Sequence, residues 1–182
     1  MDNGASSYRR YLLGDESAFD EIMNELFFGL VFFINRYVKD IHAAEDIAMD
    51  VFTELIVNPR RYNFKVTLKT YLFMLGKSRA IDYIRHRKVI DFEELTEAAQ
   101  ISDKNDLEEK VISDERGRKV NEALEKLPQE MRAVVHLIFF ENMSYKDAAR
   151  VLGKNVKQVD NLLYRAKGQL RIILGEDGEQ LL

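Results

Sequence analysis

No cysteine occurs anywhere in the 182 residues. That excludes a disulfide framework, a thiolate metal site and a thiol nucleophile. Strand signals are nearly as scarce, with no sustained period-two alternation and no Asn-Gly or Asp-Gly turn between apolar runs. Long apolar stretches are missing too. The greasiest run, Phe27 to Ile34, falls far short of the about 20 residues needed to span a bilayer, so no membrane insertion is expected. The first residues, MDNGASSYRRYLLGDES, contain no apolar core of a signal peptide. A soluble cytoplasmic protein is the expectation. The three histidines, His42, His86 and His136, show no ligand spacing. No Gly-rich phosphate loop, nucleophile elbow or metal motif stands out either, so neither a cofactor nor an enzymatic activity is expected.

What is present is helical periodicity and unevenly distributed charge. The apolar fraction of 46% is ordinary for a globular protein. The net charge of −4 argues against nucleic-acid binding only if it is spread evenly, and it is not. Between Lys77 and Lys88 stand six basic residues (Lys77, Arg79, Arg85, His86, Arg87, Lys88) and one acid, Asp82. Between Lys146 and Arg171 stand seven Lys or Arg and two acids. The intervening stretch from Asp91 to Arg116 holds ten acids and three bases. Two basic surfaces are thus separated by an acidic connector.

The first long helix is predicted from Ser17, with Asp20 completing a capping box. Phe19, Ile22, Leu26, Leu30, Phe33 and Tyr37 follow at three- and four-residue steps. A second helix is predicted from about Ala44 to Asn58, ending before Pro59. Ile47, Val51 and Leu55 form its inner stripe, and Glu45, Asp46, Asp50 and Glu54 its outer one. A third begins near Thr67 and continues to about Lys88, apolar in its first half and basic in its second. Residues 91–113 lack an apolar pattern and read as a flexible acidic linker. A further helix from about Asp114 to Lys126 leads into a second lobe, and 175–182 reads as a frayed tail. The expected fold is all-α: two small helical domains, 1–90 and 114–174, joined by that linker.

In the second lobe, Pro128 suits the first turn of a helix whose inner residues are Met131, Val134, Val135 and Ile138. Ser144 and Asp147 form a capping box, Gly153 a C-cap, and Asn155 caps a last helix that buries Val156, Val159, Leu162, Leu163 and Leu170. A short helix, a glycine turn and a longer helix with a basic face is the helix-turn-helix pattern. Its second helix enters the major groove with its N-terminal residues on the base edges, which here are Lys157, Gln158 and Asn161, with Arg165 one turn on. Lys and Arg suit guanine, Gln and Asn adenine. Arg150, Lys154 and Lys167 are placed for phosphates. The plainer alternative is an amphipathic helical hairpin with a solvated basic face. The coincidence of turn glycine, caps, paired Ala148 and Ala149, and basic face favours DNA.

The run LPQEMRAVVHLIFFENMSYKDAARVLGKNVKQVDNLLYRAKGQLR, Leu127 to Arg171, resembles region 4 of bacterial RNA polymerase sigma factors. FDEIMNELFFGLVFFINRYV, AEDIAMDVF and TYLFMLGKSRAIDYIRHR resemble region 2 of the same proteins, in the same order. The two-region form is similar to the extracytoplasmic-function (ECF) branch. Met49, Tyr71 and Ser78 depart from the Gln, Trp and Asn usual in the family, whereas Ala80-Ile81-Asp82 is kept.

The resemblance implies an initiation subunit that binds core RNA polymerase, through the β′ clamp helices and the β flap, and promoter DNA. An anti-sigma factor is a possible further partner. The residues matching the clamp-facing helix are Asp46, Met49 and Asp50, with Glu54 one turn on; without the resemblance they are simply a solvated acidic face. The loop and third helix of region 2 are implied to capture the unwound minus-ten element, through Tyr62, Phe64, Lys65, Lys69, Lys77, Arg79, Arg85 and Arg87. Phe73 and Tyr71 are expected in the core. Tyr62, Phe64 and Lys65, outside the helical stripe, are the expected base-capture residues. Two other readings stand beside this one: a stand-alone helix-turn-helix regulator of duplex operators, and a helical interaction protein without DNA function.

Overall fold

In the computed structural model, residues 4–93 and 115–175 are described, and they contain helices and turns but no strand. They fall into two compact units, one on each side of residue 104. Of the expected linker 91–113, Asp91–Glu93 belong to a helix and the rest lies outside the described residues, as does the expected tail after Gly175. No described helix is long and apolar enough to cross a membrane.

The first unit packs α1 (Ala5–Leu12), α2 (Ser17–Val38), α3 (Ile41–Val57) and α4 (Leu68–Glu93). The predicted Ser17–Asp20 capping box does not form. Ser17 is already inside the helix and its hydroxyl donates to Asp15 Oδ1 at 2.6 Å, while the Ala18 N–H donates to the Asp15 carbonyl at 3.2 Å. Helix α2 then buries the predicted Ile22, Leu26, Leu30 and Phe33, joined by Ile34, while the predicted Phe19 and Tyr37 are half-buried. Helix α3 begins three residues earlier than predicted, because Asp40 Oδ1 accepts the Ala43 N–H at 3.1 Å and caps it. Its inner face is the predicted Ile47, Val51 and Leu55, joined by Ala44, Ala48 and Phe52.

Helix α4 buries Leu68, Leu72, Phe73 and Ala80. It runs past the expected end at Lys88 to Glu93, with no proline and no glycine after Gly76 to stop it. At Gly76 the α2 and α4 surfaces meet closely: a Cβ there would stand 2.8 Å from Leu30 Cδ1. Any larger residue there would have to displace the Leu30 methyl and press on Ile34.

The second unit holds α5 (Glu115–Glu125), α6 (Gln129–Val135), α7 (Tyr145–Leu152) and α8 (Val156–Leu174). Pro128 stands one position earlier than predicted, capping α6 with its carbonyl, which accepts from Met131 N–H at 2.9 Å and Arg132 N–H at 3.0 Å. After Val135 the chain widens into a π-helical turn, His136–Phe140, closed by Glu141 N–H to the His136 carbonyl at 3.0 Å. The wider turn rotates the face. Leu137 is therefore buried and the predicted Ile138 only half so. Arg132 is buried and donates to the Glu125 carboxylate at 2.8 Å and carbonyl at 3.1 Å. His136, also buried, lies 3.2 Å from Glu141 Oε1.

The helix-turn-helix forms as its local signals require. Ser144 Oγ accepts the Asp147 N–H at 3.1 Å and opens α7. Gly153 closes that helix in the left-handed conformation, φ 67°. Asn155 and Gln158 form a full reciprocal capping box at the start of α8, with bonds of 2.8 and 2.9 Å. Val159, Leu163, Ala166 and Leu170 are buried, whereas Val156, predicted to be inside, is 47% exposed because it opens the helix on the outer side. Replacing Asn155 with Ala is expected to cost about 1 kcal/mol, as N-cap losses do. The check is a denaturant midpoint, together with faster amide exchange in the first turn of α8.

Candidate nucleic-acid interface

Helix α8 presents Lys157, Gln158, Asn161 and Arg165, all exposed, on the side opposite its buried stripe. Among the described residues no carboxylate pairs with Lys157 or Arg165. Gln158 is more constrained than its predicted role requires. Its Oε1 already accepts the Asn155 N–H, so bidentate pairing with adenine has to share that oxygen with the cap through its second lone pair. The flanking cations differ in availability. Lys154 is ion-paired with Glu130 at 2.7 Å, Arg150 with Asp147 at 2.9 Å, and the Lys167 ammonium lies 5.1 Å from the centre of the Phe139 ring. Lys157 and Arg165 are the uncommitted charges of this face.

In the first unit, the segment between α3 and α4 opens with a short 3-10 turn, Pro59–Arg61. Tyr62 follows, and here the expectation is corrected: Tyr62 is 3% exposed, its ring 5.1 Å from that of Tyr71 and its hydroxyl donating to the Val66 carbonyl at 2.8 Å. It forms the floor of the loop rather than a free stacking face. A lone aromatic beside a proline carries no signal of this, since the ring folds back onto residues far along the chain. Phe64 is half-buried, 4.5 Å from the Tyr62 ring, and sits at φ +59°. Lys65 is exposed, its N–H held by Asn63 Oδ1 at 3.1 Å. Phe73 lies in the core as expected, against Phe33 at 5.2 Å, and Tyr71 is half-buried. Burial is the main influence raising the Tyr71 hydroxyl above its ordinary range, and the nearby Glu54 charge adds to it.

Glu54 is corrected as well. Its carboxylate does not face outward with Asp46, Met49 and Asp50 but turns toward the loop and α4, with 15% of the side chain exposed. It accepts from Arg61, from Asn58 Nδ2 at 3.1 Å and from Arg79 at 3.3 Å. Two arginines left unopposed would repel each other, and the carboxylate between them ties loop, α3 and α4 together. Arg79 is therefore partly committed. On the rest of α4, Lys69 and Lys77 are half-buried, Lys69 standing 5.8 Å from the centre of the Phe73 ring. Arg85 approaches Asp82 at 3.5 Å and Arg87 approaches Asp40 at 3.8 Å, both at exposed sites where such pairs contribute little. The outer face of α3 keeps Asp46, Met49 and Asp50, all exposed.

Comparison with known proteins finds the family of this two-unit arrangement. Residues 30–89 match Sigma-70 region 2 and residues 117–170 match Sigma-70 region 4. The chain belongs to the ECF branch of the RNA polymerase sigma factors. It is similar along most of its length to the ECF RNA polymerase sigma factor SigW of Bacillus subtilis (strain 168), at 28% identity over 87% of this chain and 89% of that one. Similarity to the RNA polymerase sigma-H factor of Pseudomonas aeruginosa reaches 25% identity over 85% and 84%. Two solved structures share the fold. The sigma factor RpoE from Bartonella quintana, in complex with the anti-sigma factor NepR, has a TM-score of 0.67 at 20% identity, covering 87% of this chain and 98% of that one. CnrH in complex with the cytosolic domain of CnrY has a TM-score of 0.66 at 20% identity, covering 97% and 99%. The ECF factor described here is thus an RNA polymerase sigma factor that directs promoter-specific initiation, and both regions matching in order disfavours a stand-alone regulator.

Proposed function

We propose that the two units divide initiation between them, with residues 1–90 gripping core polymerase and capturing the minus-ten element and residues 114–174 reading the minus-thirty-five duplex. The observation that carries this is the pairing of an uncommitted basic helix face in the second unit with an aromatic, basic loop in the first. Lys157, Asn161 and Arg165 read base edges, with Gln158 adding its NH2 and sharing its oxygen with the helix cap. Arg150, Lys154 and Lys167 contribute to phosphate contact after releasing their internal partners. In the first unit Phe64 and Lys65 meet the unpaired strand, Tyr62 supports Phe64 from beneath, and Lys69, Lys77, Arg79, Arg85 and Arg87 hold its backbone. Capture of this kind suits a single strand, since every base has a face that stacks on an aromatic ring.

Asp46, Met49 and Asp50 form the polymerase-facing surface, received by the β′ clamp helices; the second unit docks on the β flap. The protein works in the cytoplasm and carries out no chemistry itself, because the polymerase forms every bond. An anti-sigma partner is part of the proposal, as RpoE was solved with one. Co-purification from cells checks it.

Affinity for DNA rests mainly on neutralised phosphates. The surplus of seven acids between Asp91 and Arg116 opposes it in the free chain. Weak promoter binding alone and specific transcription with core enzyme are therefore expected. Run-off transcription with core polymerase, with and without this protein, tests the function; absence of a promoter-dependent product would reject it. Reversing charge at two α3 positions, Asp46→Arg with Asp50→Arg, is expected to weaken core binding at least tenfold, since like charges set against a matched surface cost several kcal/mol. Competition for core enzyme measures it, and unchanged competition removes α3 from the polymerase interface.

A further inference from the structure

Helix α1 lies against the capture loop. Tyr8 is wholly buried, and its hydroxyl donates to the Leu55 carbonyl at 2.9 Å. Burial pushes that hydroxyl up to about 12. The Tyr8 ring meets Tyr62 at 5.7 Å and Phe64 at 6.2 Å. This anchor places the next residue. The Arg9 guanidinium carbon stands 4.9 Å from the centre of the Phe64 ring, and the residue is exposed to solvent.

The two neighbouring arginines of α1 are in contrasting states. Arg10 is bound by Asp15 at 2.6 Å and Glu21 at 2.9 Å, and these partners hold its pKa above the usual range. Among the described residues no carboxylate pairs with Arg9, so its charge is not offset beside the half-buried ring. The Phe64 backbone is itself unusual. At φ +59° it occupies the left-handed region, which costs about 1–2 kcal/mol for a residue with a Cβ. Such a conformation persists where the surroundings hold it, commonly at ligand clamps. Tyr62 and Arg9 both bear on that ring.

We propose that Arg9 is a nucleic-acid contact of the capture loop. Its planar guanidinium extends the Tyr62–Phe64 stack outward and takes a base of the single-stranded minus-ten element, while its charge offsets the adjoining phosphate. Guanidinium planes stack on unpaired bases as aromatic rings do. The inference rests on the reading of this loop as the base-capture surface, and it adds a residue from an element outside the two matched regions.

The test uses holoenzyme assembled from core polymerase and the full chain. The probe is a labelled single-stranded oligonucleotide carrying the non-template minus-ten strand of a promoter selected from a random pool with the wild-type holoenzyme. Arg9→Ala is expected to weaken probe binding about five- to tenfold, the lower part of the range for one stacked base. Arg9→Lys, which keeps the charge and loses the plane, is expected to recover less than half of that loss on a logarithmic scale. Wild-type affinity in Arg9→Ala overturns the inference. So does tighter binding, because Arg9 would then be covering the ring. Full recovery by Arg9→Lys overturns the stacking role. Phe64→Ala separates the two levels: if it leaves binding unchanged the capture reading fails, and if it alone weakens binding only the role of Arg9 fails. Arg9 is exposed, so circular dichroism and melting of both Arg9 variants are expected to match wild type.

Discussion

Phe73→Ala is expected to destabilise the first unit by about 3–5 kcal/mol, the range for deleting a buried aromatic ring. Phe73 has no exposed surface and packs against Phe33, joining α2 to α4. Native domains are stable by only about 5–15 kcal/mol, so this single change removes about a fifth or more of what holds the loop between α3 and α4 in place. For a domain of this size the melting temperature should fall by more than about 10 °C. The second unit has its own core, built around Leu137, Val159, Leu163 and Leu170. Hydrogen exchange should therefore quicken in α2 and α4 and stay unchanged in α8. Core polymerase, binding only the folded form, should restore part of the loss in proportion to its concentration. Equal loosening of both units would show that they do not fold separately.

The double replacement Lys157→Ala with Arg165→Ala should reduce promoter-dependent transcription at least about 30-fold, each base-reading cation contributing about 1–3 kcal/mol. The two residues are eight positions apart, about 12 Å along the helix, so their losses should add. Neither touches the core of the second unit, and its melting should not change. Single alanine replacements at Arg150 or Lys154 should cost less, because both side chains give up an internal ion pair to reach a phosphate. Their signature is a shallower salt dependence, by about one unit of slope, without altered sequence preference. Wild-type transcription from the double variant would remove α8 from promoter reading.

Glu54 shows where a helical pattern stops being informative. On a helical wheel it shares the outward side of α3 with Asp46 and Asp50. The wheel does not know that the loop after Pro59 folds back across that side. Arg61 and Arg79 arrive from seven and 25 residues away and draw the carboxylate in. Tyr62 failed as a free stacking face for the same reason. Its floor position depends on Tyr8 and Tyr71, which flank it from α1 and α4. Gln158 is the opposite case. Its partner, Asn155, is three residues away, and the pair is a capping signature visible in the chain, so the Gln158 oxygen meets a base only while shared with the cap.

By itself the sequence determined most of what short-range physics controls, the Ser17–Asp20 box and the Asp40 cap apart. Apolar spacing of three and four residues set the helices, Asn155 and Gly153 set where α7 ends and α8 begins, and the motifs of the two regions carried the resemblance to the family. These depend on groups within about one helical turn of each other, whose geometry is fixed once the helix forms. The tertiary structure alone decided which polar groups are free to act. It sequestered Glu54 and Lys154, sank Tyr62, left Lys157 and Arg165 open, and set Arg9 over Phe64. Each of those outcomes depends on packing beyond the residue's own helical turn; the Tyr8 anchor that places Arg9 reaches a carbonyl 47 positions away. Contacts of that length follow from how helices pack, which no local pattern encodes.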